Sequence, residues 1–568
     1  MNEIKKDILK VENLSVEIAT EYEKIKAVKQ VSFSILESET LAIVGESGSG
    51  KSISALSIMQ LLISKATIDA NSSIHFINKK NQSISLLNSP KEAIENIRGN
   101  EIAMIFQEPM TSLNPLMTCG KQLTEAIQLH LNLSFESAKQ KAIELFHEVK
   151  LSQPEITFDK YPHQLSGGQK QRVMIAMAIS CHPKILIADE PTTALDVVVQ
   201  NDILILLKNL QSKYQMAILF ITHDLKVVKH FADRVIVMYK GEIVEMNSVN
   251  EIFNHATHPY TKALLQCKPD VHYRVKFLST LSDAMDNLEI KNNDISDELF
   301  YTQLQKIENA KTILELNDLH VWYPTKKSFF NKTKAWYKAV DGVSIKIKEG
   351  ETLGLVGESG CGKTTIGKAI VKLSDITKGD ILYKGKSIQS FSKSELQEYR
   401  KQVQIIFQDP YSSLNPRMTI GSAIKEPMDV YGIELSKNRK DKVIYLLEKV
   451  GLNHTHYERY PHEFSGGQRQ RICIARALAL NASFLICDES VSALDVSVQA
   501  QVLNLLVSLK DEYRFTYLFI SHDLNVIKHI SNHVAVMQKG KILEYNNAND
   551  LYTRPQDKYT KQLIATMS

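Results

Sequence analysis

Two glycine-rich segments of the same form occur in this 568-residue chain, one in each half. The first reads Gly-Glu-Ser-Gly-Ser-Gly-Lys-Ser and the second Gly-Glu-Ser-Gly-Cys-Gly-Lys-Thr. Each follows a short apolar run (Leu41–Val44, Leu353–Val356) and precedes a helical pattern. Strand, loop and helix in that order are the context of a phosphate-binding loop, because the glycines let backbone N–H groups close around phosphate oxygens and the helix start adds positive potential. The chain is therefore predicted to bind nucleotide phosphates at two places.

In each phosphate loop we expect the lysine to reach the β- and γ-phosphates and the final hydroxyl to bind Mg²⁺. The residues of the first loop are Gly45, Glu46, Ser47, Gly48, Ser49, Gly50, Lys51 and Ser52. The residues of the second loop are Gly357, Glu358, Ser359, Gly360, Cys361, Gly362, Lys363 and Thr364.

The chain is a tandem repeat. Three later landmarks recur at a constant spacing of 299 residues, namely Ser166 and Ser465, Glu190 and Glu489, and His223 and His522. The first half carries eleven extra residues between its phosphate loop and Gln107, which we assign to a surface loop near Asn71–Pro90. We predict a first domain over 1–268, a linker over 269–310 and a second domain over 311–568. Residues 271–310 hold seven acidic and four basic residues, which favours a partly helical, solvated spacer.

Two carboxylates end an apolar strand in each half. The strand from Lys184 ends in Asp189 and Glu190, and its counterpart ends in Asp488 and Glu489. Acids at the tip of a buried strand are costly unless they meet a cation. We expect each aspartate to be a ligand of Mg²⁺ and each glutamate to be the general base for the water that attacks the γ-phosphate.

A glutamine and a histidine follow further strands in both halves. Gln107 and Gln408 follow apolar runs, and we expect them to contact Mg²⁺ and the attacking water. His223 and His522 follow two other apolar runs and are predicted to contact the γ-phosphate.

A Ser-Gly-Gly-Gln element precedes a helical pattern in each half. The two signature loops are Ser166, Gly167, Gly168 and Gln169, and Ser465, Gly466, Gly467 and Gln468. Serine and glycine at a helix start leave N–H groups and a hydroxyl for an anion. One domain has no use for a second anion site, so we expect the signature loop of one half to close over the phosphate loop of the other in an intramolecular pseudo-dimer.

Composition excludes several other classes of protein. The net charge of +4 gives no support for a nucleic-acid partner. No apolar run approaches the roughly 18 residues that span a bilayer, and the amino terminus lacks the apolar core of a signal peptide. Six cysteines occur without the spacing of a metal site, which indicates free thiols.

By these motifs, in this order and in duplicate, the chain resembles ABC-transporter ATPases over nearly its whole length. The resemblance implies an α/β fold of two tandem P-loop ABC ATPase domains, each a RecA-like mixed sheet with a helical signature subdomain. It implies ATP and Mg²⁺ as cofactors and ATP hydrolysis coupled to transport. The Ala-Leu-Asp loops at 194–196 and 493–495 belong to the same pattern.

A narrower resemblance is to the oligopeptide, dipeptide and nickel importer ATPases. It is carried by Phe106–Pro115, Phe407–Pro416 and the tail His-Pro-Tyr-Thr at 258–261. The halves resemble D-type and F-type subunits fused in one chain. The resemblance implies two integral-membrane permease subunits, an extracytoplasmic solute-binding protein and a peripheral location on the cytoplasmic face of the inner membrane. Ser490 departs from the family proline after Glu489, and Phe464 replaces the usual leucine before the second signature loop.

Several alternatives stay open at the level of sequence. Peptide, glutathione and nickel all suit the family as cargo. A soluble tandem ATPase of translation or DNA repair is the rival class, although those proteins typically carry a long charged linker or zinc-binding insertions. A sugar-importer ATPase is a nearer rival, in which one site is commonly degenerate. The aromatic residue that stacks on adenine is Tyr22 in the first half and Tyr323 or Trp336 in the second by our interpretation.

Overall fold

The computed structural model of the chain describes residues 6–19, 24–107, 112–193, 195–266, 274–285, 294–327, 333–492 and 494–565. The chain divides into two compact units. The first is formed chiefly by Met1–Leu195 and Val199–Gln266, and the second chiefly by Cys267–Asp283 and Leu288–Ser568.

A six-stranded sheet forms the centre of the first unit. Its strand order is Glu242–Ser248, Arg234–Tyr239, Thr40–Val44, Ala217–Thr222, Ile185–Asp189 and Ile102–Ile105, with only the first pair antiparallel. Every residue of Thr40–Val44 and Ile185–Asp189 is buried. Such continuous apolar runs suit parallel strands that are covered on both faces. The carboxyl ends of the parallel strands meet at one edge, and the predicted site residues follow those ends.

An antiparallel sheet and a set of helices complete the first unit. The antiparallel sheet contains Asp7–Ala19, Lys24–Leu36, Ala66–Ile68, Ser73–Ile77 and Ser83–Ser85. The helices are Lys51–Ile58, Lys91–Ile97, Cys119–Leu131, Phe135–Glu148, Pro154–Phe158, Gly167–Ile179, Val197–Tyr214, Leu225–Phe231, Val249–His255 and Pro259–Gln266.

The second unit repeats this architecture. Its central sheet runs in the order Val403–Ile406, Phe484–Asp488, Thr516–Ser521, Thr352–Val356, His533–Gln538 and Lys541–Asn547. Its antiparallel sheet contains Thr312–Lys327, Thr333–Lys348, Lys378–Tyr383 and Lys386–Ser387. Its helices are Lys363–Ile370, Lys393–Gln402, Ile420–Tyr431, Arg439–Lys449, Gly466–Leu478, Val496–Tyr513, Leu524–Ile530, Ala548–Thr553 and Lys558–Ala565. The predicted α/β class and the duplication are therefore confirmed.

The segment of the first half assigned to a surface loop contains two strands, and the second unit has the equivalent pair in Lys378–Tyr383 and Lys386–Ser387. The stretch Asn71–Pro90, predicted to be a surface loop, contains the paired strands Ser73–Ile77 and Ser83–Ser85. Ile74 and Phe76 alternate inward and are fully buried against the first sheet strand. The loop assignment was wrong because two buried residues at alternate positions outweigh the polar composition around them.

The described part of the predicted linker does not stand free in solvent. Helix Asp297–Glu308 buries Phe300 and Leu304 in the core of the second unit, in the same apolar cluster as Ile530 and Leu551. A shorter helix spans Leu281–Met285. The expected solvated spacer therefore differs from the structure, because the few apolar residues of this segment fall on one helix face and pack.

Among the described residues, no helix combines the length and apolar character that crossing a membrane requires.

Two candidate ATP sites

The first phosphate loop is folded around its lysine. The Lys51 ammonium donates to the carbonyls of Gly45 and Glu46 at 2.8 and 2.7 Å. Gly50 has a φ of 100°, and a Cβ on Gly45 would lie 2.2 Å from the Met238 carbonyl oxygen. Only glycine fits these positions. This loop geometry is compatible with the role in phosphate binding that the sequence predicts.

Two oxygen donors come together beside this loop. The Ser52 hydroxyl donates to Asp189 at 3.0 Å. Burial raises the pKa of Asp189 to about 6, against the opposing effect of the Ser52 hydrogen bond. Hydroxyl and carboxylate oxygens are the ligands that Mg²⁺ prefers, and a bound cation would offset the cost of the buried charge. This pair fits the predicted metal site.

Glu190 is the centre of the first site. Its carboxylate accepts hydrogen bonds from Gln107 at 3.0 Å and Thr193 at 2.9 Å, and it lies 3.3 Å from His223. Burial favours the neutral acid, but the hydrogen bond and charge of His223 outweigh it and lower the pKa of Glu190 to about 2. The residue holds a left-handed φ of 46° while its N–H donates to the Ile221 carbonyl. The carboxylate is therefore ionised and fixed in direction.

The second phosphate loop repeats the first. Lys363 donates to the carbonyls of Gly357 and Glu358 at 2.7 and 2.9 Å. The Thr364 hydroxyl donates to Asp488 at 2.9 Å. Burial raises the pKa of Asp488, as it does for the aspartate of the first site.

Glu489 is held by a partly different set of contacts from its counterpart, because the Lys363 ammonium lies 3.9 Å from its carboxylate. It accepts from Gln408 at 2.8 Å and lies 3.4 Å from His522. Ser492, the counterpart of Thr193, donates instead to the Glu489 main-chain carbonyl at 2.8 Å. Burial favours neutral Glu489, but the hydrogen bond and charge of His522 outweigh it and lower the Glu489 pKa. Among the described residues, the buried Ser490 hydroxyl makes no hydrogen bond to a residue of the site, so the departure from proline adds no support to the site.

Each signature loop forms a reciprocal helix cap. The Ser166 hydroxyl accepts from the Gln169 N–H, and the Gln169 side chain accepts from the Ser166 N–H. Ser465 and Gln468 form the same pair. Because both serine hydroxyls accept in this cap, their protons are still available to an anion.

The two glycines of the second signature loop differ in the space around them. A Cβ on Gly467 would lie 2.1 Å from Val498 Cγ1, whereas a Cβ on Gly466 would lie 3.7 Å from Leu494. A side chain is therefore accommodated at Gly466 and excluded at Gly467.

Sequence reasoning missed a residue that touches each phosphate loop. The Tyr260 hydroxyl accepts the Glu46 N–H at 3.1 Å, and the Tyr559 hydroxyl accepts the Glu358 N–H at the same distance. Tyr260 is fully buried and packs on Tyr239 with ring centroids 4.2 Å apart. These are the tyrosines of the His-Pro-Tyr-Thr tail and its counterpart. The repeated Tyr-Thr pair was the available signal.

The aromatic assignments of the adenine site stay predictions. Tyr22 lies outside the described residues. Tyr323 donates to Ser374, and Trp336 is half exposed. Tyr337, which pairs with Tyr323 across the strands, donates to the Gly360 carbonyl of the second phosphate loop at 2.9 Å. Tyr337 is therefore a further aromatic residue at this loop.

The thiols show no metal-binding cluster in the described ranges. Cys119, Cys181, Cys361, Cys473 and Cys487 are buried free cysteines, and Cys267 lies outside those ranges. No group of three or more His, Cys, Asp or Glu suited to a metal occurs in the part of the chain that the structure describes.

Comparison with known protein families identifies the family to which the chain belongs. The ABC transporter family matches residues 28–193 and 340–492, which contain the phosphate loop, signature loop and Asp-Glu pair of each unit. The oligopeptide/dipeptide transporter C-terminal region matches residues 244–292. The chain belongs to the ABC transporter ATP-binding family. It is an ATP-hydrolysing, energy-coupling component of an ABC importer of the peptide type.

Relatives match over nearly the full chain. The glutathione import ATP-binding protein GsiA of Escherichia coli O6:H1 (strain CFT073) is 45% identical over 99% of this chain and 89% of the relative. GsiA of Salmonella paratyphi A is also 45% identical, over 99% of this chain and 90% of the relative. Among solved structures, a dimeric bacterial ABC transporter cassette aligns with a TM-score of 0.38 and 25% identity, covering 42% of this chain and 99% of that one.

Proposed function

We propose that this chain drives the import of glutathione or a closely similar small peptide. The observation that carries the proposal is the 45% identity with glutathione import ATP-binding proteins over 99% of the chain. The cargo contacts other subunits, so the chain would work with two membrane permeases and, through them, an extracytoplasmic solute-binding protein. Its place would be at the cytoplasmic face of the inner membrane, held by those permeases.

Within each site we assign roles from the contacts. Lys51 and Lys363 would bind the β- and γ-phosphates of ATP. Mg²⁺ would be held by Ser52 with Asp189, and by Thr364 with Asp488, and when bound it would neutralise charge on the phosphates. These assignments are supported by the hydroxyl–carboxylate distances of 3.0 and 2.9 Å.

Glu190 and Glu489 would each orient the attacking water and accept its proton. Their pKa values are lowered, so each is a carboxylate at neutral pH and acts as an acceptor. Gln107 and Gln408, which already donate to these glutamates, would hold the water in line with the γ-phosphate.

Uptake in cells tests the proposed cargo. Deleting the gene in its host and supplying labelled glutathione, a labelled dipeptide or labelled nickel distinguishes the three cargoes left open by the sequence. We expect loss of glutathione uptake alone, restored by the wild-type gene. The Glu190→Gln, Glu489→Gln double variant, made to the same level, is the matched control and should not restore it. Unchanged glutathione uptake with lost dipeptide or nickel uptake would overturn the assignment of cargo.

A further inference from the structure

A short segment between the two ATPase units lies on the second unit. We call residues 274–281 the strap. Leu278 of the strap is 3% exposed and belongs to the main apolar core of this unit. The strap falls inside the region that matches the oligopeptide/dipeptide transporter C-terminal region. It is therefore an integral part of the second unit's surface.

Arg274 binds the end of one helix. Its guanidinium donates to the main-chain carbonyl of Lys528 at 2.8 Å and to that of Ser531. Both carbonyls lie at the carboxyl end of helix Leu524–Ile530, where the last carbonyls lack partners within the helix and the helix dipole favours a positive charge. The cation thus binds the carbonyl groups at the end of this helix.

The guanidinium is itself held in place. It lies over the ring of Phe300, 4.1 Å from the ring centroid, and Phe300 is 2% exposed. The Arg274 carbonyl accepts the Ile295 N–H at 2.9 Å. Burial lowers the pKa of Arg274 to about 10, which leaves it charged at neutral pH. The contact with the helix end is therefore an ionic hydrogen bond from a fixed donor.

The strap also binds a second helix. The Asn504 side chain accepts the Leu278 N–H at 2.8 Å and donates to the Leu278 carbonyl at 2.7 Å, as a neighbouring strand would. Asn504 lies in helix Val496–Tyr513, and Lys276 adds an exposed ion pair to Asp511 in the same helix.

Both helices bound by the strap follow segments that belong to the family's motifs. Helix Leu524–Ile530 starts after His522, and Asp523 caps it by accepting the N–H of Asn525. Helix Val496–Tyr513 starts at its cap Asp495, the last residue of the Ala-Leu-Asp loop. A shift of the first helix would carry His522 away from Glu489, which lies 3.4 Å from it.

In the first unit, different residues stand at the positions that contact the strap in the second unit. Ile205 stands at the position of Asn504, and its side chain cannot pair with a backbone. Lys208, at the position of Val507, donates to the Phe231 carbonyl at 3.4 Å at the end of helix Leu225–Phe231. The first unit therefore supplies this cation from within its own fold, and the second unit receives it from the strap.

We propose that Arg274 is a positioning residue for the second ATP site. By binding the end of helix Leu524–Ile530 it keeps His522 against Glu489, so the segment that joins the two units sets the turnover of the second site. The proposal rests on the proposed roles of His522 and Glu489 and goes beyond them by making the connection between the units part of the site.

Hydrogen exchange in the full-length protein tests the contact directly. In Arg274→Met, backbone exchange over residues 524–531 should rise about 10- to 100-fold, the effect expected of losing hydrogen bonds from a charged donor. Exchange over residues 225–232 in the same sample should be unchanged. In Arg274→Lys, the exchange over residues 524–531 should lie between that of the wild type and that of Arg274→Met. Asn504→Ile, which places the first unit's residue in the second unit, should raise the exchange over residues 496–513. Unchanged exchange over 524–531 in Arg274→Met would overturn the proposal.

ATP turnover distinguishes positioning from general loss of stability. With the first site silenced by Glu190→Gln, Arg274→Met should lower kcat about three- to tenfold, which corresponds to about 1 kcal/mol in the activation free energy. KM should stay within about twofold of its value in the Glu190→Gln parent. With the second site silenced by Glu489→Gln, the same substitution should have no effect. Lys276→Met is the matched control on the same strap and should change neither.

The remaining outcomes also decide the proposal. An equal loss in both backgrounds, or faster exchange with unchanged kcat, would overturn the positioning role of Arg274. If Glu489→Gln alone leaves wild-type turnover unchanged, the proposed role of Glu489 fails, and the exchange experiment still decides whether the strap holds the helix.

Discussion

The tail tyrosine of the first unit gives the sharpest prediction about a phosphate loop. Tyr260→Phe removes one hydroxyl and keeps a fully buried ring that packs on Tyr239. The change leaves the Glu46 N–H without the acceptor that lies at 3.1 Å. The loss of a typical hydrogen bond costs about 0.5–1.5 kcal/mol, and we expect about 1 kcal/mol here because Glu46 is partly open to water. That corresponds to about fivefold weaker ATP binding at the first site.

A fluorescent ATP analogue titrated in a Lys363→Ala background, where only the first loop binds well, measures this affinity. Tyr239→Phe is the control because it alters the partner ring and leaves the bond to Glu46 in place. Tyr559→Phe should weaken the second site in the same way when it is combined with Lys51→Ala. Equal affinities for Tyr260→Phe, Tyr239→Phe and the parent would refute the inference that the tail supports the phosphate loop.

Three further predictions follow from the sites and the core. Glu190→Gln or Glu489→Gln alone should leave partial ATP turnover. The two substitutions together should reduce turnover about 10²- to 10⁴-fold, as loss of a general base does. Unchanged turnover in Glu489→Gln would mean that the second site is inactive. Burial, followed by the charge of a nearby arginine, lowers the pKa of His529 to about 4 from 6.5, so its neutral form is favoured in the folded state. The free energy of unfolding should therefore be unaffected by this histidine above pH 6.5 and should fall by up to about 3 kcal/mol as the pH falls towards 4, because the unfolded state binds the proton first. His529→Phe should flatten this part of the pH profile of the unfolding free energy, measured with denaturant. An unchanged slope would contradict the prediction. Gly466→Asp, at a position with room for a side chain, should place a carboxylate near the γ-phosphate of the first loop and lower nucleotide trapping there; mapped photolabelling that shows loss only at the second loop would contradict the expected pairing between halves.

The residues proposed for catalysis in each unit could be selected from sequence because their signals are local. The phosphate loop, the Asp-Glu strand ending at Glu190, and the strands before Gln107 and His223 each carry their own pattern within about ten residues. Parallel strands bring their carboxyl ends to one edge of a sheet, so residues predicted separately lie within hydrogen-bond distance of one another. The structure gives Gln107 and His223 at 3.0 and 3.3 Å from Glu190.

Composition was a poor guide where a few apolar residues decide the fold. The polar stretch Asn71–Pro90 forms a strand pair because Ile74 and Phe76 share one buried face. The acidic segment before the second domain docks because Phe300 and Leu304 are one helical turn apart and pack together. Both segments contain too few apolar residues to stand out in an average over their length.

The sequence by itself determined the duplication and the α/β class and led to the residues proposed for both sites, because these depend on short periodic patterns and on residue types with fixed chemistry. Tertiary structure alone decided which distant residues support those sites. Tyr260 reaches Glu46 across 214 residues of chain, and Arg274 reaches Ser531 across 257. Such contacts depend on how helices pack on the completed sheet, and packing at this distance leaves no periodic trace in a single sequence.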